Sequence, residues 1–223
     1  MKKKIEAVIF DLDGTLIDTE PVAAKVVMKC FQEWGVPASK DDAGFVAGRT
    51  WMMAIDFFFQ KYQFPYSREE VLDKLLERYS EALKSDIIQV PGSAKTVQSL
   101  AGNFKIGLVS GSNRREIFYA IQHLGIEKHF EIVLGAEDYP RSKPAPDGYL
   151  KALKYFGLEP WQVLIFEDSE PGIQSARAAG AWVVAIEATN HFSHPLSHSH
   201  ERIRDFTGVD TEWVKKFSQR MLG

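Results

Sequence analysis

Four short stretches of this chain carry side chains able to do chemistry together, and each lies where an apolar run ends or a helical pattern begins. Asp11 and Asp13, with Gly14 and Thr15, follow Ala7 to Phe10; Ser110, Gly111, Ser112 and Asn113 follow Ile106 to Val109. Lys143 stands before Pro144, and Glu167, Asp168 and Ser169 follow Val163 to Phe166. Carboxylates gathered in one buried place need a counter-charge. A hard divalent cation such as Mg²⁺ supplies it, taking oxygen ligands from Asp11 and Asp168 and keeping waters and a substrate phosphate on its other positions. The same charge lets an anionic carboxylate approach an anionic phosphoryl group. Singly, each residue has a plainer reading: the aspartate caps a turn, the serine caps a helix, and the lysine is solvated. The set taken whole argues against those readings.

The elements that must position these groups follow from the apolar pattern. Ala7 to Phe10, Ile106 to Val109, Ile132 to Leu134, Val163 to Phe166 and Trp182 to Ile186 are nearly unbroken, Val- and Ile-rich runs, as expected of parallel strands covered on both faces. Helical stretches follow most of them, Arg115 to Leu124, Gly148 to Phe156 and Gly172 to Ala179, each stopped by a glycine. This alternation predicts an α/β fold, a doubly wound parallel sheet. In such sheets ligands bind beyond the carboxyl ends of the strands, near the point where strand order reverses. Ile17 to Val90 is too long for one crossover and reads as helices with no convincing strand: Val22 to Trp34, Met52 to Tyr62 and Glu69 to Leu83, parted by Gly35, Pro37 and Pro65. Residues 17–90 are therefore an inserted helical domain, and residues 1–16 and 91–223 form the α/β core. Met52, Met53 and Phe57 to Phe59 read as core or inter-domain packing, and Trp213 to Met221 as a last amphipathic helix on the sheet.

Composition narrows the partners. Of 223 residues, 45% are hydrophobic and 26% charged, excluding disordered and multi-span membrane chains, and 27 basic residues against 30 acidic give a net charge of -3. Neither nucleic acid nor a membrane surface is an expected partner; a small molecule is. The single cysteine, Cys30, allows no internal disulfide and reads as a buried thiol. Lys2 to Lys4 precede an apolar run too short for a signal segment, so the expected compartment is the cytoplasm. His191, His194, His198 and His200 are irregularly spaced around Pro195 and read as a loop rather than a metal site.

Asp11-Leu-Asp13-Gly-Thr15, Ser110 after its apolar run, Lys143-Pro-Ala-Pro-Asp147, and Glu167-Asp168-Ser169 with Gly172 together resemble the four motifs of the haloacid dehalogenase-like (HAD) superfamily, in order and in spacing. The resemblance covers nearly the whole chain. It is closest to the branch with a helical cap between the first two motifs, which includes phosphoglycolate phosphatases, small sugar-phosphate phosphatases and β-phosphoglucomutase. It implies a Rossmann-like core, a cap at 17–90, and a Mg²⁺-dependent phosphatase that hydrolyses a small phosphorylated metabolite. By that resemblance Asp11 is the nucleophile that forms an aspartyl-phosphate, and Asp13 is the acid and base that also lends the metal its backbone carbonyl. Asp11, Asp13 and Asp168 would hold the metal. Ser110 and Lys143 would hold the phosphoryl oxygens, joined by backbone N–H groups of Gly111 and Ser112. Thr15 would orient Asp11 and the turn. Glu167 has two readings, a metal ligand through water or a charge partner of Lys143. Arg49, after an apolar stretch in the cap, either contacts substrate or makes a surface or inter-domain ion pair.

The resemblance also implies alternatives. A phosphomutase of the β-phosphoglucomutase type is disfavoured by Ala23, because that enzyme has a histidine at the corresponding place. A non-enzymatic phosphoacceptor or binding protein is the alternative from another class, but a receiver carries its acceptor on a later strand and lacks the large insertion. A monomer or weak homo-oligomer is expected.

Overall fold

The computed structural model describes residues 4–46, 51–85, 87–191 and 195–223. The chain divides into two compact units, Met1–Ile17 with Gln89–Gly223, and Asp18–Ile88. From the N-terminus the elements are β1 (Ala7–Phe10), β2 (Ile17–Asp18), α1 (Glu20–Glu33), α2 (Lys40–Ala43), α3 (Trp51–Lys61), α4 (Arg68–Ser85) and β3 (Ile88–Gln89). There follow α5 (Ser93–Leu100), β4 (Lys105–Val109), α6 (Arg114–His123), β5 (Ile132–Leu134), α7 (Asp147–Phe156), β6 (Val163–Glu167), α8 (Glu170–Ala178), β7 (Trp182–Ile186), β8 (Glu201–Ile203) and α9 (Thr211–Leu222). Short 3₁₀ turns fill several of the connections.

Six strands form one sheet in the order β5-β4-β1-β6-β7-β8, every neighbouring pair parallel. The chain winds from β1 to β4 and β5 on one side, then crosses to β6, β7 and β8 on the other, so the switch point lies at the carboxyl end of β1. Alternation along the strands fills both faces. Ala7, Ile9, Val109, Val163, Ile165, Val183 and Ala185 point into a core shared with Tyr149, Leu153, Phe156 and Ile173 of α7 and α8. Phe10 and Phe166 point the other way, stacked at 5.4 Å between ring centres, and meet Phe206; Trp213 of α9 lies 6.1 Å from Phe166.

Several elements differ from the sequence reading. β6 extends one residue further than expected, so Glu167 is its last, fully buried residue rather than the first of the loop. α8 begins two residues before Gly172, because the Ser169 hydroxyl caps it by accepting the Gly172 N–H and Pro171 suits the first turn. Between Ile17 and Val90 the reading had no strand, whereas β2 and β3 pair as a two-stranded sheet. Two residues are too few to show a period. The apolar pattern likewise gives no sign of α5 or β8; β8 spans three residues, none fully buried.

The helical unit has its own core, centred on Phe31, whose ring meets Phe58 edge-on at 4.8 Å and Phe64 at 5.1 Å. Phe57 stacks on Phe45 and Phe59 on Phe64, as packing predicts, but Met52 and Met53 are exposed. That part of the packing expectation is corrected: α3 is 11 residues long, and its buried residues, Ala54, Ile55 and Phe58, lie on a stripe that leaves out both methionines.

Asp42 ties this unit's short second helix to the end of α3. It accepts hydrogen bonds from the Ser39 N–H and hydroxyl and from the Tyr62 hydroxyl, and it pairs with Lys61. Burial pushes its pKa up, but the bonds from Lys61, Ser39 and Tyr62 outweigh that and hold the carboxyl below the usual carboxylate range. A depressed folded pKa stabilises above the unfolded value and is lost as pH falls past it. Asp42→Asn is expected to lower the urea midpoint of unfolding fully at pH 6–7, with the deficit shrinking below about pH 4. A deficit equal at pH 6 and pH 3 would contradict that assignment.

Candidate active site

Strand periodicity brings the first two carboxylates together. Phe10 pairs in register with Phe166, and the Asp11 N–H donates to the Phe166 carbonyl at 3.0 Å, so Asp11 and Glu167 are the next residues along two adjacent strands. Both continue the alternation that faces α7. Two buried carboxylates side by side repel, and Lys143, just before α7, lies between them: its Nζ donates to Asp11 Oδ1 at 2.6 Å and to Glu167 Oε1 at 2.5 Å, and also reaches the Val109 carbonyl at 3.3 Å. Tyr149 completes the arrangement. Its hydroxyl donates to Glu167 Oε1 at 2.7 Å, and its ring lies 5.2 Å below the lysine ammonium.

Asp168 adds a third carboxylate. Asp11, Glu167 and Asp168 each offer an oxygen within 4.8 Å of the others. Two glycines make this crowding sterically feasible. A Cβ on Gly172 would lie 1.9 Å from Glu167 Oε1, and one on Gly14 would lie 2.0 Å from Asp168 Oδ2. Gly14 also has a φ of +82°, which L side chains rarely adopt. The Thr15 hydroxyl donates to Asp168 Oδ1 at 2.9 Å, tying the turn after β1 to the end of β6.

Asp13 stands apart from that group. Its Oδ2 accepts the Ser112 hydroxyl at 2.7 Å and the Ser110 hydroxyl at 3.0 Å. The Ser112 N–H donates in turn to Ser110 Oγ at 2.9 Å, and the Tyr139 hydroxyl holds the Ser110 carbonyl at 2.7 Å. Gly111 between them is exposed, with open space where a Cβ would stand. Asp11, Thr15, Lys143, Glu167 and Asp168 thus form one cluster; Asp13, Ser110 and Ser112 form another, with Gly111 at its edge. Arg49 and His194 lie outside the described residues. His198 pairs with Glu170, and His200 accepts the Val183 N–H at 3.0 Å while burial and then the Arg177 charge push its pKa down to about 4. Three further hydroxyls at the site are absent from the motifs: Tyr149, Tyr139 and Thr189, whose hydroxyl donates to the Gly14 carbonyl at 2.6 Å. Tyr149 alone left a signal, a hydroxyl on the apolar face of α7.

Electrostatics follow from the crowding. Burial, then the charges of Glu167 and Asp11, raises the Asp168 pKa well above the usual range. Burial likewise raises Asp11 against the pull of Lys143, and raises Asp13 against the hydrogen bonds from Ser112 and Ser110. Burial would lower Lys143, but the Asp11 and Glu167 charges outweigh it and keep the ammonium protonated. Three carboxylates face one ammonium. A divalent cation would balance that charge, and the donor set, oxygen throughout, suits a hard ion such as Mg²⁺.

A parallel sheet whose switch point carries this lysine-bridged acid cluster defines the class, and the chain belongs to it: the haloacid dehalogenase-like hydrolase family matches residues 8–186. The chain is 28% identical over 214 residues to the bifunctional riboflavin kinase/FMN phosphatase of Arabidopsis thaliana, covering 95% of this chain and spanning 56% of that protein's length. It is 29% identical to the fructose-1-phosphate phosphatase YqaB of Escherichia coli (strain K12), over 83% of this chain and 98% of that one. The crystal structure of a HAD hydrolase, family IA, variant 3, from Entamoeba histolytica HM-1:IMSS superposes with a TM-score of 0.80 at 28% identity, covering 95% of this chain and 98% of that one.

Carboxyl pKa values raised on folding favour the folded state at low pH, an advantage lost as pH rises through the folded values. Asp168→Asn keeps an acceptor for Thr15 and removes a charge. In the presence of chelator it is expected to unfold at higher urea than the wild type at pH 8, with the gain shrinking as pH falls toward the ordinary carboxylate range of the unfolded chain, about 4. A variant no more stable at pH 8 than at pH 5, relative to wild type, would contradict the crowding argument.

Proposed function

We propose that this hydrolase is a Mg²⁺-dependent phosphoric monoester hydrolase that cleaves a small phosphate ester, a sugar phosphate or phosphoglycolate-like metabolite, through an aspartyl-phosphate on Asp11. One observation carries the reading: two neighbouring aspartates sit in two environments, Asp11 against an ammonium and Asp13 on a pair of hydroxyls. Chemistry that needs one carboxylate as nucleophile and another as proton carrier requires such a difference. An Asp11 oxygen attacks phosphorus while the bond to the leaving oxygen breaks, and Asp13 gives that oxygen its proton. Asp13 then takes a proton from water, whose oxygen attacks phosphorus as the bond to Asp11 breaks. Phosphate leaves and both carboxyls return to their starting states.

Lys143 and Ser110, with the N–H groups of Gly111 and Ser112, would hold the phosphoryl oxygens; Lys143 would exchange its bond to Asp11, Ser110 its bond to Asp13, and the Ser112 N–H its bond to Ser110. Asp11, Asp168 and the Asp13 carbonyl would hold Mg²⁺. When bound, that ion supplies positive charge beside the acids and the transferring phosphoryl group. The two oxygens of Glu167 already accept five hydrogen bonds, from Lys143, Tyr149, the Asp168 N–H, and the N–H and hydroxyl of Ser169, which supports its reading as a charge partner of Lys143 over that of a metal ligand. Thr15 orients the turn. In this reading the helical unit is the cap that selects the leaving group, and Arg49 is its contact residue. Ala23, buried on α1 and without a titratable group, supports hydrolysis over phosphoryl transfer back to the substrate. The reading keeps the cytoplasmic setting expected from the sequence; among the described residues no helix is long and apolar enough to cross a membrane.

Phosphate release from sugar phosphates, phosphoglycolate and an aryl phosphate, with Mg²⁺ and with chelator, tests the proposal. Release is expected with Mg²⁺ and not with chelator. Asp11→Asn should fall to background with the fold intact; near wild-type turnover in that variant would remove the nucleophile. Asp13→Asn should lose roughly 10²-fold or more on alkyl phosphates. Its loss on an aryl phosphate should be smaller, since that leaving group needs less protonation; equal losses would take Asp13 out of the acid role.

A further inference from the structure

Three consecutive residues of the turn after β1 are each fastened by a different strand end. Asp13 is held through its carboxylate by Ser110 and Ser112 after β4, and Thr15 through its hydroxyl by Asp168 after β6. Gly14, between them, offers only main chain. Its carbonyl accepts the hydroxyl of Thr189, in the turn after β7, at 2.6 Å, and Thr189 is 2% exposed. That turn is itself anchored, since the Glu187 and Ala188 N–H groups donate to the Ile203 and Arg204 carbonyls and the Asn190 N–H to the Glu187 carbonyl.

The direction of the Gly14 carbonyl matters because glycine at a φ of +82° has no side chain to restrict rotation of its peptide. That carbonyl shares its peptide plane with the Thr15 N–H, which donates to the Leu12 carbonyl at 3.2 Å, so such a rotation would strain that bond and swing the Thr15 side chain that meets Asp168. The Gly14 N–H is held by the Ile17 carbonyl at 2.7 Å, and the Thr189 hydroxyl holds its other end. We propose that Thr189 is a positioning residue, which through the Gly14 carbonyl holds the Gly14–Thr15 peptide, and with it the path of the turn between Asp13 and Thr15, and so makes the turn after β7 part of the active site. The kinetic consequence rests on the hydrolysis proposed above; the effect on the turn rests on geometry alone.

The test compares Thr189→Val, of the same shape without the hydroxyl, with Thr189→Ser, which keeps it, and Thr189→Ala as a second hydroxyl-free variant should the valine fail to fold. In the metal-free full chain, amide exchange by NMR is expected to quicken about 10-fold or more at Gly14, Leu16 and Ile17 in the hydroxyl-free variant, with changes under about twofold in β1 and β7. Serine should restore wild-type exchange. With Mg²⁺ and the best small monoester, kcat is expected to fall about 10-fold or more while KM stays within about threefold, the pattern of lost transition-state positioning, and serine should recover it. Unchanged exchange in the turn, exchange quickened equally throughout the sheet, kcat within about twofold of wild type, or a serine variant as impaired as valine would each overturn the assignment. If the wild type itself releases phosphate from no small monoester, the hydrolysis reading fails, and the exchange measurement alone decides for or against Thr189.

Discussion

One buried ammonium makes the rest of this site possible. Lys143 Nζ lies within hydrogen-bond reach of Asp11 and Glu167, two carboxylates that parallel register sets next to each other at the ends of β1 and β6. Removing either partner of such a buried pair leaves an uncompensated charge, at a cost of roughly 3–5 kcal/mol. The surroundings are arranged to keep the lysine in place. The Tyr149 ring faces the ammonium, its hydroxyl shares Glu167 with it, and the Val109 carbonyl takes a further contact.

Crowding around that lysine is bought with two glycines and separated by two serines. Gly14 and Gly172 stand where any Cβ would strike a carboxylate, so Asp168 and Glu167 can approach the turn and the helix start closely. Ser110 and Ser112 draw the Asp13 carboxylate to the other side of the turn. Two residues apart in the chain, Asp11 and Asp13 therefore meet different partners: one a fixed positive charge, the other neutral hydroxyl donors. Both have raised pKa values, through burial first, but only Asp11 has an ammonium opposing the rise by direct hydrogen bonding. That asymmetry is the ground on which the proposed hydrolysis gives two like side chains unlike parts.

The helical unit has a core of its own among the described residues. Its aromatic cluster around Phe31 and the Asp42 network between α2 and α3 are complete within Asp18–Ile88. An insertion with its own core can vary in sequence without disturbing strand register in the sheet.

The sequence by itself determined the sheet and the main chemical groups, because both are written in local pattern. Unbroken Val- and Ile-rich runs specify strands covered on both faces, and the residues at their ends, Asp11, Ser110, Glu167 and Asp168, are then placed at one edge by the wiring of a doubly wound sheet. Lys143 was legible through its place before Pro144 in a motif. Short pieces were not: β2, β3 and β8 are two or three residues long and carry no period. Nor did the pattern say which way each group points. Only the tertiary structure decided that Glu167 ends a strand beneath Lys143, that Tyr149 reaches it from α7, and that Ser110 and Ser112 face Asp13. It also decided that Thr189 closes on Gly14 across 175 positions of chain. A hydrogen bond of that span depends on where two strand ends finish in space, and no local spacing records it.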